Sequence, residues 1–277
     1  MTRKNYCGNL LWQSSLALLA PYGSMRGRAY PITRGVPLYS TPFEPMRFTE
    51  NIRTAFRVGL ASARANAVPM FALWIVAAFM VVSYYLMPGV AALLEPLAKW
   101  QTEGGWYAAF LNRVVFCGFI PGLFLLSVRS LRPRRPFLTI ALQSCWCGFW
   151  GIVVDWFFRL LDLYVGSGAD WATLAVKTSL DEFLLTPLLV APADAVFFFW
   201  LGRDMSMRRV VRDCPTRFVT GLLAPNLISN WCVWVPAGFA IFAFPLPLQV
   251  QISGFLSSMW ALMCLQIGVI CARRRKP

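Results

Sequence analysis

Followed for polarity, the chain from about residue 70 onward is a succession of long apolar runs separated by short polar stretches. Five runs are of membrane length: Met70 to Ala92, Phe110 to Val128, Phe137 to Phe157, Phe183 to Leu201 and Gln249 to Cys271. About 20 helical residues cross a hydrocarbon core ~30 Å thick, so each run predicts a transmembrane helix. A sixth run, Phe218 to Phe244, is long enough but is interrupted by Pro225, Asn226, Asn230 and Pro236. It either crosses as a kinked helix, or re-enters or lies on the membrane surface.

The charges between the runs bear on that choice. Basic residues gather before the first run (Arg47 to Arg64), after the second (Arg129 to Arg135), after the fourth (Arg203 to Arg217) and at the chain end (Arg273 to Lys276). The other loops hold the acids Glu95, Glu103, Asp162, Asp170, Asp181 and Glu182 with few bases. Such asymmetry puts the Arg-rich loops on the inner side, and the basic tail joins them only if Phe218 to Phe244 crosses. The expectation is an all-α polytopic bundle of about six transmembrane helices with both ends inside. The alternative has four or five, with the Trp/Pro segment re-entrant.

Four regions follow. Residues 1–45, rich in Arg, Pro and Gly with no acid before Glu44, are expected to be a poorly ordered or spurious extension: a targeting segment, or sequence upstream of a start at Met46. Residues 46–69 space Arg53, Arg57 and Arg64 at near-helical intervals with Phe56, Val58 and Leu60 between them, which predicts an amphipathic helix on the inner membrane surface. Residues 70–272 form the membrane domain, and 273–277 a basic tail.

Composition narrows the function. Of 277 residues 58% are hydrophobic and 14% charged, with a net charge of +14, whereas a soluble domain carries roughly a quarter charged residues. The partner implied is a lipid bilayer, with anionic headgroups at the Arg-rich loops and no nucleic acid. There is no histidine, which excludes Ser-His-Asp and Cys-His catalysis, His-ligated metal and imidazole relays. Eight cysteines show no Cys-x-x-Cys spacing and read as small buried hydrophobes. No catalytic, cofactor or metal site is expected, and the chain is not expected to be an enzyme.

Ionisable residues inside spans are costly and mark candidate sites. Arg113 is three residues into the second run and Asp155 two residues from the end of the third. Their depths, about 5 Å and about 3 Å from the outer side, predict that they are neighbours. Asp194 is about 16 Å deep, near the midplane, behind Pro187 and Pro192. It must be protonated, paired or facing a wet cavity, and is the residue expected to serve a pore or gate, the alternative being a protonated carboxyl hydrogen-bonded to Asn230. Asn226 and Asn230, four apart, share one helix face. The candidate polar core is thus Arg113, Asp155, Asp194, Asn226 and Asn230. An intramembrane aspartyl protease is disfavoured, because the two aspartates differ in depth by about 13 Å. Gly118 and Gly122 in "GFIPG" have small-xxx-small spacing and predict close helix packing, with homo-oligomerisation as a lesser branch.

Several stretches resemble one family. "KTSLDEFLLTP" places Lys177, Asp181 and Pro187 at the spacing Lys-x-x-x-Asp-Gln-x-x-x-x-Pro, with Glu182 in place of Gln. "DWFFRLLD" keeps Leu161 and Asp162 of a His-x-Trp-Tyr-x-x-Leu-Asp motif, with Asp155 where the His stands. "NWCVWVPAGFAIFAFP" keeps Asn230, Trp231, Trp234, Pro236 and Phe242 of an Asn-Trp-x-x-Trp-Pro signature. Together these are similar to the Mpv-seventeen/PMP-twenty-two family of small membrane proteins, over roughly Arg135 to Trp260. The resemblance implies a channel-like or membrane-homeostasis protein; the function expected is a narrow channel for small solutes or a membrane-homeostasis role, with a non-transporting structural or interaction protein as the alternative. It implies four spans, against the six of the charge pattern. The membrane is expected to be a bacterial cytoplasmic one, with the mitochondrial inner and peroxisomal membranes as alternatives. Gly238 and Ile241 replace polar family positions, so an amide ring there is missing.

Overall fold

The computed structural model describes residues 66–128, 132–213 and 223–273, together with 53, 56, 57, 59–61, 63 and 64. The expectations for residues 1–45 and for the tail beyond Arg273 lie outside the described residues. Among the described residues every regular element is helical: α1 (Ala67–Leu86), α2 (Pro88–Arg113), a first π-helical segment (Val114–Phe119), α3 (Ile120–Ser127), α4 (Pro136–Val165), α5 (Trp171–Leu180), a second π-helical segment (Asp181–Val190), α6 (Ala191–Gly202), α7 (Met207–Asp213), α8 (Ala224–Phe242) and α9 (Leu246–Arg273). The described positions from 53 to 64 are helical too, with Arg53, Arg57 and Arg64 exposed and Gly59 and Ala63 buried.

The protein is an all-α helical membrane bundle. Four continuous rods, Ala67–Leu86, Pro88–Ser127, Pro136–Val165 and Trp171–Gly202, are long and apolar enough to cross a bilayer. Their outward faces are greasy. On α1 the exposed residues Val68, Phe71, Ile75, Phe79, Val82 and Leu86 recur every three or four positions. Such a stripe suits lipid and would be an aggregation site in water.

Contacts order the rods in alternating directions. α4 runs antiparallel to α2 and α3, since Gly118 abuts Ser144, Gly122 abuts Ile140 and Gly148 abuts Phe110. α8 runs parallel to α1: the Trp74 indole donates to the Val233 carbonyl at 2.9 Å and the Tyr85 hydroxyl to that of Ala243. It runs antiparallel to α5, with Gly238 against Thr178 and Phe239 against Trp171. α9 descends beside α2 and α3, pairing Gln251 with Asn112 and Phe255 with Phe116. The Trp/Pro stretch is therefore one continuous helix beside α1, about 28 Å long for its 19 residues, and not a re-entrant hairpin.

Two boundaries differ from the sequence expectation. The first helix ends at Leu86, not Ala92, because Pro88 drives Met87 into extended backbone (φ −117°, ψ 99°) and then opens α2. Within α2, Gly105 takes φ 50° and ψ −127°, a kink that needs glycine. The descending helix thus starts before Phe110. At the same end of the bundle, α4 continues to Val165, well past Phe157. Both shifts move polar residues deeper than counting from the apolar runs suggests.

Candidate functional site

Proline sets the local geometry of the site. Pro121 cannot donate to the carbonyl of Cys117 four residues back, and the Gln143 amide donates to that oxygen from α4 at 3.3 Å. In the second π segment bonds run to the fifth residue back, as from Ala191 N–H to the Thr186 carbonyl. Pro187 stands where the donor to the Glu182 carbonyl would be, and the Trp231 indole takes its place at 2.7 Å. Both widened turns face one interior space, as π segments at functional sites often do.

Trp231→Phe is expected to leave that carbonyl without its donor and to cost about 1–3 kcal/mol. Thermal unfolding in detergent micelles measures it. A loss no larger than that of Trp→Phe at the exposed Trp156 would refute the role.

The space is a cavity of about 270 Å³ bounded by α2, α4, the rod from α5 to α6, α8 and α9. Its charged lining is Arg113, Asp181, Glu182 and Asp194. Gln143 and Phe158, both lining residues, are fifteen positions apart on α4. The cavity therefore extends about 22 Å along the bundle. The buried aromatics Phe158 and Phe198 stand toward its opposite ends.

None of these charges is ion-paired among the described residues. Arg113 donates to the hydroxyls of Ser253 at 2.8 Å and Ser257 at 3.3 Å, both on α9. Asp194 accepts from the Trp146 indole at 2.7 Å, and that indole is stacked on Phe197 with ring centroids 4.4 Å apart. Glu182 accepts from the Asn230 amide at 3.1 Å. Opposite charges thus line one space, with Arg113, Glu182 and Asp194 each held by neutral donors or acceptors.

The structure brings Arg113, Asp194 and Asn230 to the cavity and leaves Asp155 and Asn226 out of its lining. Arg113 and Asp155 are not paired, contrary to the depth argument. Asp155 accepts from Arg159 at 2.8 Å and from the Gln101 amide at 2.9 Å, while Arg113 lies a turn deeper, beside Gly151. The late start of the second apolar run and the early end of the third had made their depths seem equal. Asn230 serves Glu182 and not Asp194, because Glu182 is the acid that α8 packs against. Of the remaining motif residues, Asp181 and Trp234 line the cavity and Pro236 is exposed. Lys177 pairs with Asp162 at 2.9 Å.

Sequence reasoning missed Glu182 as a site residue, and with it Gln143, Ser253 and Ser257. It also missed a buried amide chain in which Asn112 donates to Gln251, Gln251 to Gln101 and Gln101 to Asp155. Isolated amides in apolar runs were the available signal. At the start of α5, Asp170 caps the helix by accepting from Ala172 and Thr173 N–H. Hydrogen bonds from the Thr173 side chain and backbone hold its carboxyl below the ordinary value.

No protein-family model, curated protein or solved structure matches the chain.

Proposed function

We propose that this membrane protein forms a narrow permeation path for a small polar solute, with the cavity as its binding chamber. One observation carries the reading: Arg113 and three carboxyls line a single elongated cavity with no ion pair between them. In a low-dielectric interior, opposite charges that serve only as structural glue gain most by direct contact. Charges kept apart and facing a cavity instead suit a hydrated or solute-filled path. The likeness to the Mpv-seventeen/PMP-twenty-two family supports the same reading, and membership of that family is part of the proposal. Phe158 and Phe198 line the chamber toward its two ends, where hydrophobic gates would stand.

The test is solute release from proteoliposomes. Asp194→Asn is expected to change permeability or selectivity at least several-fold, and Phe158→Ala to raise permeability. Asn230→Ala, which takes from the Glu182 carboxyl its amide donor, should also change permeability or selectivity. Permeability equal to that of empty liposomes for the wild type and Phe158→Ala alike would reject the path. It would leave a non-transporting structural protein whose polar residues only hold helices together, as the Asn112 to Asp155 chain does.

A further inference from the structure

The chamber carries more information about its occupant than its polarity. Arg113 projects from α2 and is held by Ser253 and Ser257 of α9, with its Nε left unpartnered. The three carboxyls come from the single rod of α5, the second π segment and α6. Cationic and anionic walls are therefore built from different helices. A second observation is independent of the carboxyls. Gln143, fully buried, lines the same cavity, and its Oε1 has no hydrogen-bond partner. A buried amide oxygen without a donor costs free energy unless something in the cavity supplies one.

We propose that the chamber binds a compact zwitterion, an ammonium carboxylate of amino-acid type, with its carboxylate on Arg113 and its ammonium between Asp194 and Gln143 Oε1. This rests on the reading of the cavity as a solute chamber and names the substrate class. A guanidinium offers a planar fork that matches a carboxylate. An ammonium brings three N–H donors, which suit carboxylates and the orphaned amide oxygen. Trp146 and Trp150, which also line the cavity, supply aromatic rings of the kind that attract a cation. A simple anion would satisfy Arg113 and leave Asp194 without a cation. A simple cation would leave the guanidinium without an anionic partner. The zwitterion answers both walls, and a volume of about 270 Å³ restricts it to a small molecule.

The experiment uses the purified full-length protein in lipid nanodiscs and follows binding by intrinsic tryptophan fluorescence and calorimetry. The probes are alanine, alanine methyl ester, which lacks the carboxylate, and lactate, which lacks the ammonium. Alanine is expected to bind at least tenfold more tightly than either analogue. Arg113→Gln should abolish the preference for alanine over the ester while leaving ester binding within about twofold. Asp194→Asn should weaken alanine and the ester together. Equal binding of ester and alanine would replace the zwitterion by a cation, and equal binding of lactate would replace it by an anion. Absence of binding by all three would overturn the proposal outright. Thermal unfolding of both variants shows whether a lost signal reflects a lost fold, and if it does, the alanine-to-ester ratio of the wild type alone decides. Alanine binding without flux would instead remove the permeation path and leave the zwitterion site standing. Flux of other solutes without alanine binding would do the reverse.

Discussion

Asp162→Ala is expected to destabilise the protein by about 3–5 kcal/mol, the usual cost of stranding a buried charge. Lys177 is a long basic side chain left only 1% exposed, with its ammonium 2.9 Å from an Asp162 oxygen. Among the described residues it has no other ionic partner. Asp162 is the wetter member, at 23% side-chain exposure. Removing the carboxylate leaves the ammonium in an apolar setting, whereas removing the ammonium leaves a carboxylate that water can reach. Lys177→Met should therefore cost clearly less than Asp162→Ala. The double variant with leucine at 162 and methionine at 177 should recover most of the loss, because it deletes both charges together. Chemical or thermal unfolding in micelles reads all three. If the two single variants are equally destabilised, the asymmetry of burial does not govern the pair.

A second large effect is expected where α2 and its π-helical continuation meet α4. A methyl group at Gly151 would run into the Ala109 carbonyl oxygen and lie 2.8 Å from Arg113 Cγ, and one at Gly118 would meet the backbone of Ser144. Backbone cannot swing away as a side-chain tip can, so the helices must separate. Overpacking of this kind costs about 1–3 kcal/mol per site, sometimes more. Gly151→Ala carries a functional consequence as well, because separating α2 from α4 displaces Arg113 from the cavity wall. Gly151→Ala and Gly118→Ala should each lower the melting temperature, and the pair should lower it further. Gly89→Ala, where a methyl meets nothing within 4 Å, is the control and should be near neutral. A melting temperature for Gly151→Ala matching that control would show that the close approach is not needed.

Gly118 and Gly122 show one way the sequence was legible. Their spacing predicted close helix packing, and they pack within the chain, against Ser144 and Ile140. The helical character and the apolar rods followed from the runs themselves, and Asp194 drew attention because a carboxyl deep in such a run has few harmless explanations. Arg113 and Asp155 show the limit. Their pairing was inferred from depth, and depth was counted from where apolarity begins, whereas helix position depends on Pro88, the Gly105 kink and the extension of α4 to Val165. Glu182 was passed over because it lies at the edge of an apolar run; the rod of α5, π segment and α6 runs on through it and buries it against Asn230.

What the sequence determined by itself is what depends on near neighbours along the chain. Apolar runs of membrane length require helices in lipid, since backbone polar groups there must be satisfied within the segment. Prolines at 121 and 187 withhold donors from their own turns. Only the tertiary structure decided which side chain answers each freed carbonyl, which acid meets Asn230, and that Arg113 and three carboxyls line one cavity without pairing. Those outcomes depend on the register and tilt of helices far apart in sequence, which are set by the meeting of small residues such as Gly118 and Gly151 with their partners on neighbouring helices.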